Sequence, residues 1–309
     1  MRQTPTKPWL IYACLASVYL IWGSSFAVSK YMVGELPPFL AASVRFIGAG
    51  LLLWALASYR GESLPRERRE WRHFLIMGVL QVVGSAGVNV FAMQHVASNQ
   101  SALLNASGAL WISLLGTLGA RGHRLTPLVS TGVCLGFIGV GFLVWPHDGF
   151  SLSHFGWQMV IILACLSWAM GSIYYARAHT RTPMLMFTAV TMLTGGIMLA
   201  GLGFSLNELP RWHWHIGSIS AVVCLMLGSS CIGYTAFNYL TRYTSPALLS
   251  TYAYVNPAIA ALVGWLALHE GMSGHQLTGM GIILLGVILV SLGEPSNSRA
   301  QETPTEASA

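Results

Sequence analysis

Ten stretches of this chain run for about twenty residues with few charges, and they decide most of what it can fold into. They span roughly Trp9–Lys30, Pro37–Ser58, His73–Gln94, Asn99–Ala120, Pro127–Trp145, Gly156–Ala178, Pro183–Phe204, Ile216–Leu240, Pro246–Leu268 and His275–Gly293. About 20 apolar residues cross a hydrocarbon layer of about 30 Å as an α-helix. No water reaches the backbone there, so a spanning segment must satisfy its own N–H and C=O groups, which a helix does. The expected fold is an all-α integral membrane protein of ten transmembrane helices. A soluble domain is excluded: 54% of residues are hydrophobic and 8% charged, where soluble domains carry about 25% charged residues. The formal charge of +6 does not point to nucleic acid, because Lys and Arg fall in short loops between the apolar runs.

Those loops hold turn formers such as Pro37-Pro38, Arg60-Gly61, Pro146 and Pro210, and no extramembrane domain fits between them. Halves of the chain match at an offset near 146: Trp22 meets Trp168, Pro38 meets Pro183, and Ala102-Leu103-Leu104 meets Ala247-Leu248-Leu249. His123–Thr126 (HRLT) likewise meets His275–Thr278 (HQLT), and Gly139-Val140 meets Gly286-Val287. Five spans per unit is an odd number, so the second unit enters the membrane inverted, as in the repeats of many secondary transporters. The expected units are 1–145 and 146–293, followed by a polar, disordered cytoplasmic tail, 294–309. Arg2 and Lys7 before the first run resemble a signal peptide. The run is long for that role and the repeat requires it, so a retained helix is expected.

Lys and Arg set the orientation. With the N-terminus inside, 13 of the 16 lie on the inner side, Lys30 and Arg211 lie outside, and Arg45 falls within a span. That bias places both termini in the cytoplasm. The RERREWR stretch, Arg66–Arg72, either serves this rule or binds anionic lipid or a partner.

The spans PPFLAASVRF at the second helix and SPALLSTYAYVNPAIAALVGWLALHE at the ninth, within ten helices in two halves, resemble the drug/metabolite transporter superfamily, specifically its EamA-type members. The likeness covers nearly all of the chain except the tail. It implies a bacterial inner-membrane carrier of amino acids or related metabolites, often outward, with a cavity lined by helices 1, 3, 4, 6, 8 and 9. Members often repeat a Pro and a terminal Glu in helix 4. Here that helix reads SALLNASGALWISLLGTLGAR, with no Pro and with Arg121 near the place of the Glu.

Polar groups inside apolar walls are the candidates for the substrate pathway. They are Trp22, Arg45, Asn89, Asn105, Trp168, Tyr234, Asn238, Tyr252 and Asn256. Arg45 lies about seven residues past Pro38, hence roughly 10 Å deep. It can clamp a carboxylate bidentately, or snorkel outward or pair with a neighbouring helix. Gln81 and the asparagines serve as hydrogen-bonding glue between helices or face substrate. Trp22 and Trp168, each beside a Gly-Ser pair, either pack helices or line the cavity. Tyr252 and Tyr254 point to different faces, so at most one lines it. Pro257 removes a backbone N–H and bends helix 9, which makes it a hinge in one half only. Glu270, at the outer end, is expected to latch Arg45.

All ten acidic residues lie in loops, helix ends or the tail, so facilitated or exchange transport is expected ahead of proton coupling, with Glu270 or a His (His95, His269) as the coupling alternative. The five cysteines show no metal spacing and read as small hydrophobes. No metal and no cofactor is expected. The leading function is a secondary transporter, an exporter or exchanger, of amino acids or related small metabolites by alternating access. The alternative is a proton-coupled multidrug or cation efflux carrier. An intramembrane enzyme would need a motif such as HExxH or GxSxG, and neither occurs. A non-transporting membrane protein is the remaining class. The expected partners are a small-molecule substrate and the lipid bilayer, with no nucleic acid, and the protein is expected to be a monomer.

Overall fold

The computed structural model describes residues 8–118, 126–144, 152–178, 180–244, 248–249 and 251–293. Arg2, Lys7, His123, Arg121, Arg124, Pro146, Asp148, Ala247 and the tail from 294, on which several expectations rest, lie outside these residues. Among the described residues there is no strand. The helices are α1 (Pro8–Glu35), α2 (Pro38–Tyr59), α3 (Arg68–Ala92), α4 (Ser98–Asn105 continued by Ser107–Gly116), α5 (Pro127–Val144), α6 (Leu152–Arg177), α7 (Met184–Ser205), α8 (Ile216–Tyr243), α9 (Tyr252–Leu268) and α10 (Gly274–Gly293). Seven of them are long and apolar enough to cross a membrane, and α5 and α9 are apolar but shorter. Large apolar side chains such as Leu51, Leu52, Ile197, Leu262, Trp265 and Leu266 are exposed on the outer helix faces, where only lipid makes their exposure favourable. The protein is an integral membrane protein.

The clearest local logic is at the ends of α2 and α7. Pro38 opens α2 in the first helical turn, where its missing N–H costs nothing. At the other end Gly61 has φ 79°, and the N–H groups of Gly61 and Glu62 return to Ser58 O (2.9 Å) and Ala57 O (2.9 Å). This is a Schellman closure. The end of α7 repeats it 146 residues later: Asn207 has φ 53°, and Asn207 and Glu208 return to Phe204 O (3.1 Å) and Gly203 O (3.0 Å).

Each closure aims a carboxylate at the other helix. Glu208 accepts from the backbone N–H of Leu40 at 2.8 Å and of Phe39 at 3.3 Å, at the start of α2. Glu62 accepts from Met186 N–H at 3.0 Å, at the start of α7. The first N–H groups of a helix have no partner within it, and a carboxylate there also meets the positive end of the helix dipole. The two helices therefore run antiparallel and cap each other. Along their length Phe46, Ala49, Leu53, Phe187, Ala189, Met192 and Leu199 are buried in one apolar core.

A second close pair is α5 with α10. A methyl group placed on Gly286 would lie 2.5 Å from the backbone N of Gly136, and one on Gly132 would lie 2.7 Å from Gly286 O. Only glycines permit this approach, in which backbone touches backbone as in small-residue helix pairs of membranes.

Replacing either carboxylate removes a charged cap from a buried helix start. Glu208 is 3% exposed, so Glu208→Ala should cost about 1–2 kcal/mol, and Glu62→Ala a comparable amount. Thermal unfolding of the purified protein in detergent measures both, and unchanged melting temperatures would contradict the capping role.

Candidate functional site

Both α3 and α8 leave the regular α-helical ladder at their centres. Gly78–Gly87 and Leu225–Gly233 are π-helical, and α1 has a shorter π turn at Val18–Trp22. Wide turns of this kind recur at functional sites and open backbone carbonyls to outside donors. Here side chains of other helices use them. Ser167 donates to Leu80 O (2.7 Å), Tyr234 to Gln81 O (3.3 Å) and the Trp22 indole N–H to Ser229 O (3.1 Å).

That last bond fixes Trp22 at the centre of an aromatic cluster. Its ring centroid lies 5.5 Å from Trp168, 5.6 Å from Tyr234, 5.2 Å from Phe237 and 6.0 Å from Tyr252, mostly edge to face. Such pairs contribute about 0.5–1.5 kcal/mol beyond their buried area. Beyond the cluster, toward the chain's entry point, Leu15, Val18, Leu110 and Leu240 close the packing. On its other side opens a cavity of about 140 Å³. It extends toward the ends of α1 and α3, past Ser25, Ser29, Asn89 and Met93. Its walls come from α1, α2, α3, α4, α6, α8 and α9, so α2 joins the six helices expected.

Arg45 is the contribution of α2. It is 5% exposed, so it does not snorkel. Its Nε donates to Ser230 Oγ (2.8 Å) and one terminal nitrogen to Ser229 Oγ (2.9 Å), both in the π turns of α8. The guanidinium carbon also sits 4.8 Å from the Phe46 ring centroid.

The amides are arranged unequally. Asn89 Oδ1 accepts from Ser101 Oγ at 3.1 Å, and Asn105 Nδ2 donates to Ser101 O at 2.8 Å. By taking that i−4 carbonyl, Asn105 marks the interruption of α4 at Ala106. Sequence reasoning placed a hinge in one half only. Pro257, the residue of that expectation, lies inside α9, and α4 is divided at Ala106 without a proline, with Ala106 keeping right-handed helical dihedrals. Asn256 faces the cavity, and its Oδ1 is buried without a hydrogen-bond partner.

The expected latch between Arg45 and Glu270 does not form. Glu270 instead accepts from Ser98 N–H (2.9 Å), Ser98 Oγ (2.7 Å) and Asn99 N–H (3.1 Å), capping the start of α4. Like Glu62 and Glu208 it follows a left-handed residue, His269 at φ 54°. The physical reason is proximity: orphan N–H groups at a helix start outcompete a cation already held on α8. A basic group that sequence reasoning assigned to the outer loops completes this end. Lys30 donates to Met93 O (2.7 Å) and Val96 O (3.0 Å), closing α3.

Of the residues expected on the pathway, Trp22, Arg45, Asn89, Asn105, Trp168, Tyr234, Tyr252 and Asn256 line the cavity, as does Pro257. Tyr252 lines it and Tyr254 does not. Asn238 lies elsewhere and donates to Thr188 Oγ1 at 2.8 Å, tying α8 to α7. Cys165, read as an inert hydrophobe, is on the wall, 3.6 Å from Asn105 Oδ1. Ser25, Ser29, Ser85 and Ser229 were missed, since a serine in a span carries no signal of which face it occupies. Among the described residues no group of three His, Cys, Asp or Glu side chains could hold a metal.

Comparison with known proteins fits this geometry. The family model described as the EamA-like transporter family matches twice, over residues 7–145 and 155–292. The chain belongs to the EamA-like transporter family. It is 35% identical over 289 residues to the uncharacterized inner membrane transporter YedA of Escherichia coli K12, covering 92% of this chain and 91% of that one. It is 24% identical to the S-adenosylmethionine/S-adenosylhomocysteine transporter of Chlamydia muridarum, covering 92% of each. One solved crystal structure superposes with a TM-score of 0.70 over 93% of this chain and 98% of the other, at 21% identity, which shows the shared fold. As an EamA-like protein the chain is a membrane transporter.

Gly233 gives a direct test of the aromatic cluster. A methyl group there would lie 2.2 Å from Trp22 Nε1, and the indole is held on several sides. Gly233→Ala should cost on the order of 1–3 kcal/mol from overpacking and shift the tryptophan emission spectrum. Thermal unfolding and fluorescence measure the two, and an unaltered spectrum would contradict the placement of Trp22.

Proposed function

We propose that the protein is a secondary carrier of amino acids or related small metabolites across the bacterial inner membrane, working by alternating access between two inverted five-helix halves, 1–145 and 146–293. The observation that carries this reading is the position of the cavity. Its walls come from α1–α4 of the first half and α6, α8 and α9 of the second, the interface at which such carriers hold substrate. The double family match and the mutual capping of α2 and α7 support the halves as units. Rocking of one half on the other would move the aromatic cluster, now sealed on one side, and expose the cavity to the opposite face.

With Lys and Arg biased to the N-terminal side, the cavity opens toward the periplasm and both termini lie in the cytoplasm. The site is complete within one chain, so a monomer suffices. The inner-membrane location rests on kinship with YedA, which is named as an inner membrane transporter, and outward export or exchange is part of the same proposal. A volume of about 140 Å³ is below the roughly 300–1,000 Å³ of sites for drug-sized ligands, which favours small metabolites over the multidrug alternative. The cavity is lined by no carboxylate among the described residues, which favours uncoupled transport over proton coupling.

Reconstituted in liposomes, the protein should show saturable uptake of a labelled amino acid that accelerates when unlabelled solute is loaded inside. Linear, unaccelerated flux points to a channel and contradicts the carrier reading. An imposed pH gradient should leave the rate unchanged. A pH response that Glu270→Gln abolishes would overturn uncoupled transport, whereas loss of stability alone in that variant fits its role as a cap.

A further inference from the structure

The cavity wall holds one buried charge and one buried acceptor, and neither is matched within the protein. Arg45 uses two of its five N–H donors on Ser229 and Ser230. Among the described residues no carboxylate pairs with it, and the ionisable side chains near it are Tyr234, Cys224 and Cys231, which are ordinarily neutral. A buried cation without a counter-charge is unfavourable, so the cavity has a net positive wall that an anion would complete. Asn256 is 6% exposed, and its Oδ1 accepts no hydrogen bond. It lies one helical turn beyond Tyr252 on the same face of α9. Trp22, Trp168, Tyr234 and Tyr252 supply the aromatic surface of the same cavity.

We propose that the cavity selects monoanionic carboxylates with an apolar body and a second hydrogen-bond donor, and that Arg45 is the specificity-determining residue. The free N–H groups of the guanidinium donate to the carboxylate. A turn of the Asn256 side chain brings its unpartnered Oδ1 to an O–H or amide N–H of the solute, and the body packs on the indole and phenol rings. A zwitterion is the poorer fit, because its ammonium adds a second cation to walls that offer no carboxylate. An organic cation is repelled outright. The assignment rests on the cavity being the transport site, and it narrows the substrate from amino acids in general to acids of net negative charge.

Four probes of one shape separate these classes: phenyllactate, its methyl ester, phenylalanine and phenethylamine. Binding to the purified protein is read by tryptophan fluorescence, and flux is read in liposomes. Phenyllactate should bind most tightly, about tenfold better than phenylalanine and about 30-fold or more better than its ester, with phenethylamine weakest. Arg45→Gln should erase that order and Arg45→Lys should keep a reduced form of it. Should Arg45→Gln fail to fold, the ranking on the unaltered protein decides by itself. The advantage of phenyllactate over hydrocinnamate, which lacks the hydroxyl, should vanish in Asn256→Leu. Equal or better binding of phenylalanine or phenethylamine overturns the proposal, as does an unchanged ranking in Arg45→Gln or no binding by any probe. Binding in this order without flux defeats the carrier reading but leaves the anion site standing. Saturable flux of cations or zwitterions indifferent to Arg45 does the reverse.

Discussion

Backbone hydrogen bonding in hydrocarbon is the constraint from which the rest of this structure follows. Helix interiors satisfy it alone, but helix ends and widened turns do not. In a soluble protein water completes them. Here side chains from other helices do so, and each completion becomes a tie between helices. Glu208 and Glu62 join α2 with α7, Glu270 joins α9 with α4, and Lys30 joins α1 with the end of α3. Arg177 of α6 closes α4 at its far end by donating to Gly116 O and Leu118 O. These five charged side chains thus sit where the backbone would otherwise be unpaired.

The cavity is an outcome of the same rule. The π turns of α3 and α8 bring carbonyls and hydroxyls to the middle of the bundle, where Trp22, Tyr234 and Ser167 occupy the carbonyls and Arg45 takes the hydroxyls of Ser229 and Ser230. What these contacts leave unused, part of a guanidinium and the amide of Asn256, belongs to the wall of a space lined by aromatic rings. Selectivity then comes from the remainder of hydrogen-bonding capacity after the fold has taken its share.

Much of this was legible in the amino-acid sequence. Apolar runs gave the helices because length and hydropathy decide spanning irrespective of partners. Rare polar residues in those runs gave Arg45, Asn89, Asn105, Asn256 and four aromatic residues of the cavity wall, since hydrocarbon tolerates polar groups only when they are buried or functional. Pairings between helices were not legible in the same way. Glu270 was matched to Arg45 on depth alone, although orphan N–H groups at a helix start draw carboxylates as strongly as cations do. A signal existed: Gly61-Glu62, Asn207-Glu208 and His269-Glu270 each place a carboxylate directly after a left-handed residue, and the first two are 146 apart. Asn238 was misplaced because nothing in a single span says which of its faces meets another helix.

Scaffold and site obey this offset differently, and the contrast bears on how the proposed carrier would work. At the α2–α7 contact the closing turn, the left-handed residue, the carboxylate and the capped N–H all recur at 146 residues, Leu40 with Met186 included. In the cavity the equivalence fails: the position 146 after Arg45 is Thr191 and the one 146 before Asn256 is Leu110, both buried and outside the cavity. A contact that holds two proposed halves through a rocking motion needs the same geometry from each side, so symmetry is retained there. A solute with a charged end and an apolar end has no such symmetry. Under the proposed reading its site gains by having Arg45 on one half and Asn256 on the other, so that a bound molecule would bridge both and its release would loosen them together.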